Sequence, residues 1–316
     1  MRTVIALGGN AVTRPGEEGT IPQQFEATRQ TCRPLADLIV AGHQLIITHG
    51  NGPQVGNVVR RSEIARLQHI YPIPLDIAVS DTQGGMGYMI AQCLMNELAE
   101  RGRPRLCATI ITTVAVDPDD PSFATPTKPI GAFFSAADAE EHVVRDGWRV
   151  MEDAGRGWRR VVPSPIPLEI VELPMIRLMV DEGELVVACG GGGIPVRRDG
   201  HGGLIGVEAV IDKDRTSAIL AAGVDVDALL FLTAVDTVQI DYNTPRARAM
   251  PRMTTAEAQR WLAEGQFPPG SMGPKIEAAI DFLNRSRKPE AFALITSCEK
   301  LREGLDGACG TRIVRG

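Results

Sequence analysis

Three times this chain runs from a short apolar segment directly into a glycine-rich turn. Thr3–Leu7 leads to Gly8-Gly9-Asn10, Gln44–Thr48 to His49-Gly50-Asn51-Gly52-Pro53-Gln54, and Leu185–Cys189 to Gly190-Gly191-Gly192-Gly193. Segments apolar almost throughout belong to strands covered on both faces. Glycine turns at the carboxyl ends of parallel strands form the ligand-binding edge of α/β sheets. Glycine lets backbone N–H groups approach an anion closely, and a following helix N-terminus adds a favourable dipole. Three such turns in one chain favour a polyphosphate site over tight strand–helix packing alone.

Further strand-like runs at Leu106–Val114, Ala228–Leu232 and Ala291–Ile295 alternate with helical stretches. The alternation predicts an α/β fold, a three-layer αβα sandwich with a mainly parallel central sheet. A helix is expected over Ser80–Glu100, where Ser80 and Gln83 have capping-box spacing and Met86, Ile90, Cys93, Leu94 and Leu98 recur at helical intervals. Others run from Lys213 to Gly223, from Thr254 to Gly265, from Pro274 onward, and from Phe25 to Ala41 with a kink at Pro34.

One stretch breaks the alternation. Asp117 to Pro167 carries seven prolines and two tryptophans and has no room for another strand–helix–strand unit. It is expected to form an inserted, protruding lid subdomain, about 117–165, on a two-strand stem over a cleft. The remainder reads as one domain spanning 1–316.

Composition excludes several partners. The net charge is −6 with no basic run, so nucleic acid finds no electrostatic footprint. No apolar stretch approaches the roughly 20 residues that span a bilayer. The six cysteines are scattered singly and read as small core hydrophobes in a reducing compartment, which predicts a cytoplasmic protein.

Only five of the thirty-three basic residues are lysine, and three of these sit in motifs: Thr127-Lys128-Pro129-Ile130-Gly131, Ile211-Asp212-Lys213-Asp214 and Met272-Gly273-Pro274-Lys275. Where arginine is the default cation, a lysine marks a place suited to a compact ammonium rather than a planar fork. Point charges of that kind, converging, suit a crowded phosphate. Lys288 and Lys300 read as ordinary surface residues. The familiar nucleotide signatures, G-x-x-x-x-G-K-[ST] and G-x-G-x-x-G in the first turn, are missing, so a phosphate site must be assembled from separated loops.

Candidate bases are sparse. His49 lies in a glycine turn, where histidine is more often a structural hydrogen-bonder. Asp117-Pro118-Asp119-Asp120-Pro121 reads as a turn entering the insert rather than a metal site. Asp214, beside Lys213, is the better acidic candidate, since a carboxylate there holds neighbouring ammonium groups in place. An acceptor already carrying an anionic oxygen needs no base, and phosphoryl transfer then runs on positioning and charge neutralisation.

Taken in order, Ala6-Leu7-Gly8-Gly9-Asn10-Ala11, His49 to Gly56, Thr82-Gln83-Gly84, Pro126 to Gly131, Gly190 to Pro195, Gly206 to Asp214 and Gly270 to Lys275 resemble the carbamate kinases, within the amino-acid-kinase fold family. The insert motifs weigh most, because the wider fold family lacks that lobe. The resemblance implies reversible phosphoryl transfer from carbamoyl phosphate to ADP, giving ATP and carbamate, with Mg2+, in a homodimer serving arginine or purine nitrogen catabolism. It implies that Lys128 reaches from the insert stem to the carbamoyl group, that Lys213 and Lys275 flank the moving phosphoryl group, and that Asp214 orders them. Gly8, Gly9, Asn10, Gly50, Asn51, Gly52, Gly191 and Gly192 are expected on the substrate side. Asp236, Tyr242, Met272 and Gly273 are expected on the nucleotide side, and no residue is assigned to the metal.

The chain departs from the family pattern at Ala132, where proline is common, at Ala234, where an acid is usual, at Gln239, where an aromatic is common, and at Ile166, a usually polar place. None removes a charge the chemistry needs. Two rivals stand beside this reading: a kinase of another small carboxylate or carbamate-like acceptor, and a non-catalytic nucleotide or metabolite sensor on the same fold. The sensor could dispense with Lys128, Lys213 or Asp214, and all three are present.

Overall fold

The computed structural model describes residues 1–14, 17–66, 68–153 and 155–316, and the side chain of Asn10 lies outside the described residues. Eight strands form the central sheet in the order Arg252–Thr254, Thr311–Val314, Phe292–Ser297, Ala228–Thr233, Arg2–Leu7, Gln44–His49, Leu185–Val187, Cys107–Thr109. Every neighbouring pair is parallel except Phe292–Ser297 with Thr311–Val314.

Successive side chains along these strands enter opposite cores, as the pleat requires. Val4, Ala6, Ile46, Leu229 and Phe231 pack with the helices Lys213–Gly223 and Met272–Arg285. Ile5, Leu7, Leu45, Ile47 and Leu230 pack with Ile21–Val40 and Leu75–Glu100. The result is the expected αβα sandwich. Arg2–Leu7 is the switch point: the sheet grows from it toward Gln44–His49 and Leu185–Val187, then on its other side through Ala228–Thr233. The carboxyl ends of these four parallel strands share one edge, which brings the three glycine turns to a common crevice.

The expected strand Leu106–Val114 is two strands. Cys107–Thr109 closes the central sheet, and Thr113–Val116 joins a second sheet with Pro167–Ile170, Ile194–Arg198 and Leu204–Gly206. The break is held by Gln83, whose amide nitrogen donates to the Thr112 carbonyl (2.9 Å) while its oxygen accepts from the Thr112 N–H (2.8 Å). Gln83 therefore does not cap a helix. That helix begins at Leu75, after Pro74, and Ser80 and Gln83 lie within it. The helix Ile21–Val40 runs on past Pro34, with buried Cys32, Leu35 and Ala36 on its inner face. The capping box at Thr254 and Glu257 is present and opens the helix Thr255–Ala263.

The insert leaves the body at Thr113–Val116 and returns at Pro167–Ile170, which pair antiparallel. Between them lie a three-stranded antiparallel sheet (Lys128–Phe134, Trp158–Val162, Val150–Glu152) and a helix, Ala136–Asp146. Its carboxylate-rich entry is a turn, as read, that runs into the short helix Pro121–Ala124: Asp117 accepts from the Asp119 N–H, and Asp120, the N-cap, from those of Ser122 and Ile166. The insert rests on the helix Gly52–Arg66 where Gly56 meets Gly131. A Cβ on Gly56 would lie 2.0 Å from the Gly131 Cα, so only glycine permits this approach. Glu63 of the same helix accepts from Trp148 (3.2 Å) and Arg160 (3.0 Å) of the insert. All six cysteines are free thiols, and among the described residues no helix is long and apolar enough to cross a membrane.

Candidate active site

The glycine turns take different parts in the crevice. Gly8 and Gly50 tie it together through backbone bonds, the Gly8 N–H to the Leu232 carbonyl and the Gly50 N–H to the Leu7 carbonyl, each 3.2 Å. Gly9 and Gly52 border open space. Asn51 is buried, and its amide donates to Thr82 Oγ1 at 2.9 Å. Gly191, at φ +65°, lies directly behind that amide: a Cβ there would come within 2.3 Å of Asn51 Nδ2. Gly192 is buried as well, its N–H donating to the Cys189 carbonyl and its carbonyl accepting from Thr216 Oγ1. Gly191 is thus packed behind Asn51 and Gly192 against Ile211, Gly50 lies under the Lys213 stem, and Gly9 and Gly52 have open space beside them.

His49 is fully buried beneath the turn, with Nδ1 3.1 Å from the Gly50 carbonyl. Burial pushes its pKa down to about 4, so it is neutral at physiological pH. It packs against Gly190 and serves as a structural residue.

The charged centre forms where two helices begin. Asp212 is the N-cap of Lys213–Gly223, with Oδ1 accepting the Asp214 N–H at 2.9 Å. Asp214 in turn binds two lysines: Lys213 Nζ donates to Oδ1, and Lys275 Nζ, from the first turn of Met272–Arg285, donates to Oδ2 at 2.9 Å. Lys128, the first residue of its strand in the insert, donates to Asp212 Oδ2 at 2.7 Å. Three ammonium groups therefore face two carboxylates, with Lys128 and Asp212 at the more open end, where their side chains keep 24% and 21% exposure. The side chains of Lys213, Asp214 and Lys275 retain 10%, 5% and 13% exposure.

The energetics of this cluster are set by burial against pairing. Burial opposes the charge of Asp214, yet Lys213 and Lys275 hold its carboxyl below the usual range. Burial likewise opposes Lys275, and the Asp214 carboxylate more than offsets it, raising that pKa. For Lys213 burial wins, and its pKa falls despite the same partner. Asp212 is held low against burial chiefly by Lys128. Two helix N-termini add their positive ends to the site. What this arrangement can do is gather anionic oxygens and neutralise charge that moves among them.

Beside it opens a cavity of about 620 Å³, lined among others by Asp236, Gln239, Tyr242, Phe267, Met272 and Lys275. Three of the four residues expected on the nucleotide side thus share one wall with a cluster lysine. Gly273 does not line it: its N–H donates to the Pro268 carbonyl in the turn that starts the helix. Asp212 was not singled out as a site residue from sequence, although it stands in the same motif as Lys213 and Asp214. Phe267 was missed too, lying in a loop with no distinctive pattern.

Comparison with known proteins places the chain in a family. A model of the amino acid kinase family matches residues 1–290. The carbamate kinase of Thermococcus kodakarensis is 45% identical, covering 99% of this chain and 99% of that protein. Escherichia coli carbamate kinase-like protein YahI is 43% identical, over 99% and 98%. The solved structure of Giardia lamblia carbamate kinase bound to AMP-PNP superposes with a TM-score of 0.90 at 37% identity, covering 100% of this chain and 98% of that one.

Proposed function

Since this chain belongs to the amino acid kinase family and, within it, to the carbamate kinases, we propose that its phosphoryl exchange between carbamoyl phosphate and ADP is run by three lysines disposed around two carboxylates. The observation that carries the reading is Asp214 bonded to both Lys213 and Lys275, the second of which also lines the cavity beside the cluster. The two ammonium groups flank the phosphoryl group in transit, and Asp214 keeps them fixed while charge shifts between donor and acceptor oxygens. Gly9, Gly50 and Gly52 border the substrate side, and Asp236, Tyr242 and Met272 the nucleotide. The attacking oxygen of ADP and the departing oxygen of carbamate are both anionic, so no general base is called for. A neutral, buried His49 is consistent with that economy.

Magnesium belongs to the same reading. Among the described residues no group of three or more His, Cys, Asp or Glu gathers to hold a metal, and Asp212 and Asp214 are already engaged by lysines. That donor set fits Mg2+ carried mainly on nucleotide phosphates and water, where it would neutralise phosphate charge. ATP synthesis from ADP should proceed best with carbamoyl phosphate, less well with acetyl phosphate, and stop in excess chelator. Equal use of acetyl phosphate would remove the carbamate assignment, and chelator-resistant turnover would remove the metal.

Lys128 is assigned to the carbamoyl end, delivered by the insert acting as a lid. Lys128→Ala should lower kcat/KM for carbamoyl phosphate by roughly ten- to a hundred-and-fifty-fold, the worth of a charge-assisted contact of about 1.5–3 kcal/mol, with little change in ADP affinity. Amide exchange across the insert should slow when ADP and a non-reactive carbamoyl phosphate analogue bind together. Wild-type use of carbamoyl phosphate by the variant, or unchanged exchange, would place Lys128 or the lid outside the mechanism.

The homodimer is supported by exposed Ile77, Tyr88 and Leu106, which lie in or just after the helix Leu75–Glu100 and lead into the edge strand Cys107–Thr109. Light scattering should give twice the chain mass, and a monomer at micromolar concentration would refute it.

A further inference from the structure

Asp212 does two jobs with two oxygens. Oδ1 caps the helix that carries Lys213, and Oδ2 grips Lys128 at 2.7 Å across 84 residues of sequence. The cap alone would be served by serine, threonine or asparagine. A carboxylate is needed only for the second job, which holds a lysine of the insert at the start of the catalytic helix. The geometry also answers an electrostatic problem. Lys128, Lys213 and Lys275 are like charges drawn toward one small site, and like charges in low dielectric repel strongly. Asp214 offsets the repulsion for the two lysines of the body. Among the described residues, Asp212 alone pairs with the lysine that arrives from the insert.

The rest of the insert is held by other contacts: Gly56 against Gly131, Glu63 with Trp148 and Arg160, and, beside this point, the Val210 N–H donating to the Pro163 carbonyl at 3.0 Å with Ile130 and Val162 packed on Val210. Those contacts fix the insert on the helix Gly52–Arg66 and on the segment that leads into Asp212. None of them is made to the Lys128 ammonium itself, whose bond is to Asp212.

We propose that Asp212 is a positioning residue for the transfer reaction: it seats Lys128 beside the catalytic helix, so that closure of the insert and assembly of the lysine cluster are one event. The inference rests on the reading that Lys128 meets the carbamoyl end of the substrate. Asp212 itself touches no substrate. It preorganises the ammonium that does, and reduces the ordering left for substrate to impose.

The test is a double-mutant cycle with Asp212→Asn, Lys128→Ala and the pair, with Asp212→Ser as a second probe. Asparagine keeps the shape and the cap and loses the charge; serine keeps the cap and cannot reach Lys128. Asp212→Asn should raise KM for carbamoyl phosphate about tenfold or more while ADP affinity changes less than about twofold and thermal melting stays near wild type. Amide exchange in Lys128–Phe134 should quicken. In the double variant Asp212→Asn should add little to the loss already caused by Lys128→Ala, because its effect is exerted through that lysine. Should Lys128→Ala damage turnover while Asp212→Asn and Asp212→Ser leave KM and exchange unchanged, Asp212 is a helix cap only and the inference fails. Fully multiplicative losses in the pair would overturn it as well, by showing that Asp212 acts independently of Lys128. A harmless Lys128→Ala would instead sink the reading beneath it, and is distinguished by that single variant.

Discussion

Asp214→Asn is expected to lower kcat by roughly a thousandfold, about 4 kcal/mol of transition-state stabilisation, with ADP affinity much less affected. Asparagine keeps the shape and loses the charge that holds Lys213 and Lys275 together. Removing one partner of a buried ion pair is worth about 3–5 kcal/mol, and here one carboxylate serves two lysines. The consequence differs between them. Burial already depresses the pKa of Lys213 in the presence of Asp214, so without the carboxylate its proton is lost more readily still. A neutral amine offers nothing to a moving phosphoryl group. The variant should therefore regain part of its activity as the solution is made more acidic, because Lys213 is again charged below its lowered pKa. The wild-type enzyme should lack that gain over the same interval. Collapse of ADP affinity with normal kcat at saturation would instead move Asp214 to the nucleotide or metal site.

The sequence carries the layered fold plainly because its strands alternate between two cores. Val4 and Ala6 turn one way, Ile5 and Leu7 the other, and a run apolar on both faces signals a covered parallel strand without any knowledge of its partners. The motif lysines were legible for a different reason, contrast: arginine is the common cation and lysine the rare one. What escaped detection depends on contacts between distant residues. Gln83 looked like a capping residue because its spacing from Ser80 fits one, but its amide is spent 29 residues away on Thr112, where it splits one strand into two. Nothing local to either residue announces that clamp.

Asp212 shows the same limit at the site. Its place before Lys213 is explained in full by helix capping, so the local reading leaves no residue of meaning to pursue. Its second oxygen becomes informative only when the insert folds back and brings Lys128 to it. The glycine turns were legible as a group and not individually. Gly52 borders open space, whereas Gly191 stands behind Asn51 and Gly192 against Ile211, and turn chemistry is the same in either place.

Lys213→Arg and Lys275→Arg should each lower turnover at least roughly a hundredfold, about 2.7 kcal/mol, while the fold survives. Charge is conserved in both variants, so an effect of this size must come from shape. The Lys213 stem runs over Gly50, where a Cβ would already meet its Cδ at 3.3 Å, and the side chain keeps 10% of its surface. A guanidinium is wider, planar and fixed in its fork, and it has neither the room to sit beside Gly50 nor the single-point contact with Asp214 that an ammonium makes. Lys275 is enclosed to a similar degree, at 13%, and bridges two helices whose first turns are held by that one carboxylate. Arginine at either position should bind Asp214 with two nitrogens, draw it off its other partner, and leave the phosphoryl oxygens facing a displaced charge. Thermal melting should stay near wild type, because the ion pairing is retained. The loss should fall on kcat rather than on KM for ADP, since the displaced group matters most when charge moves. Near-normal turnover in either variant, with normal melting, would mean that the site reads only the sign of the charge there, and would remove that lysine's shape from the mechanism.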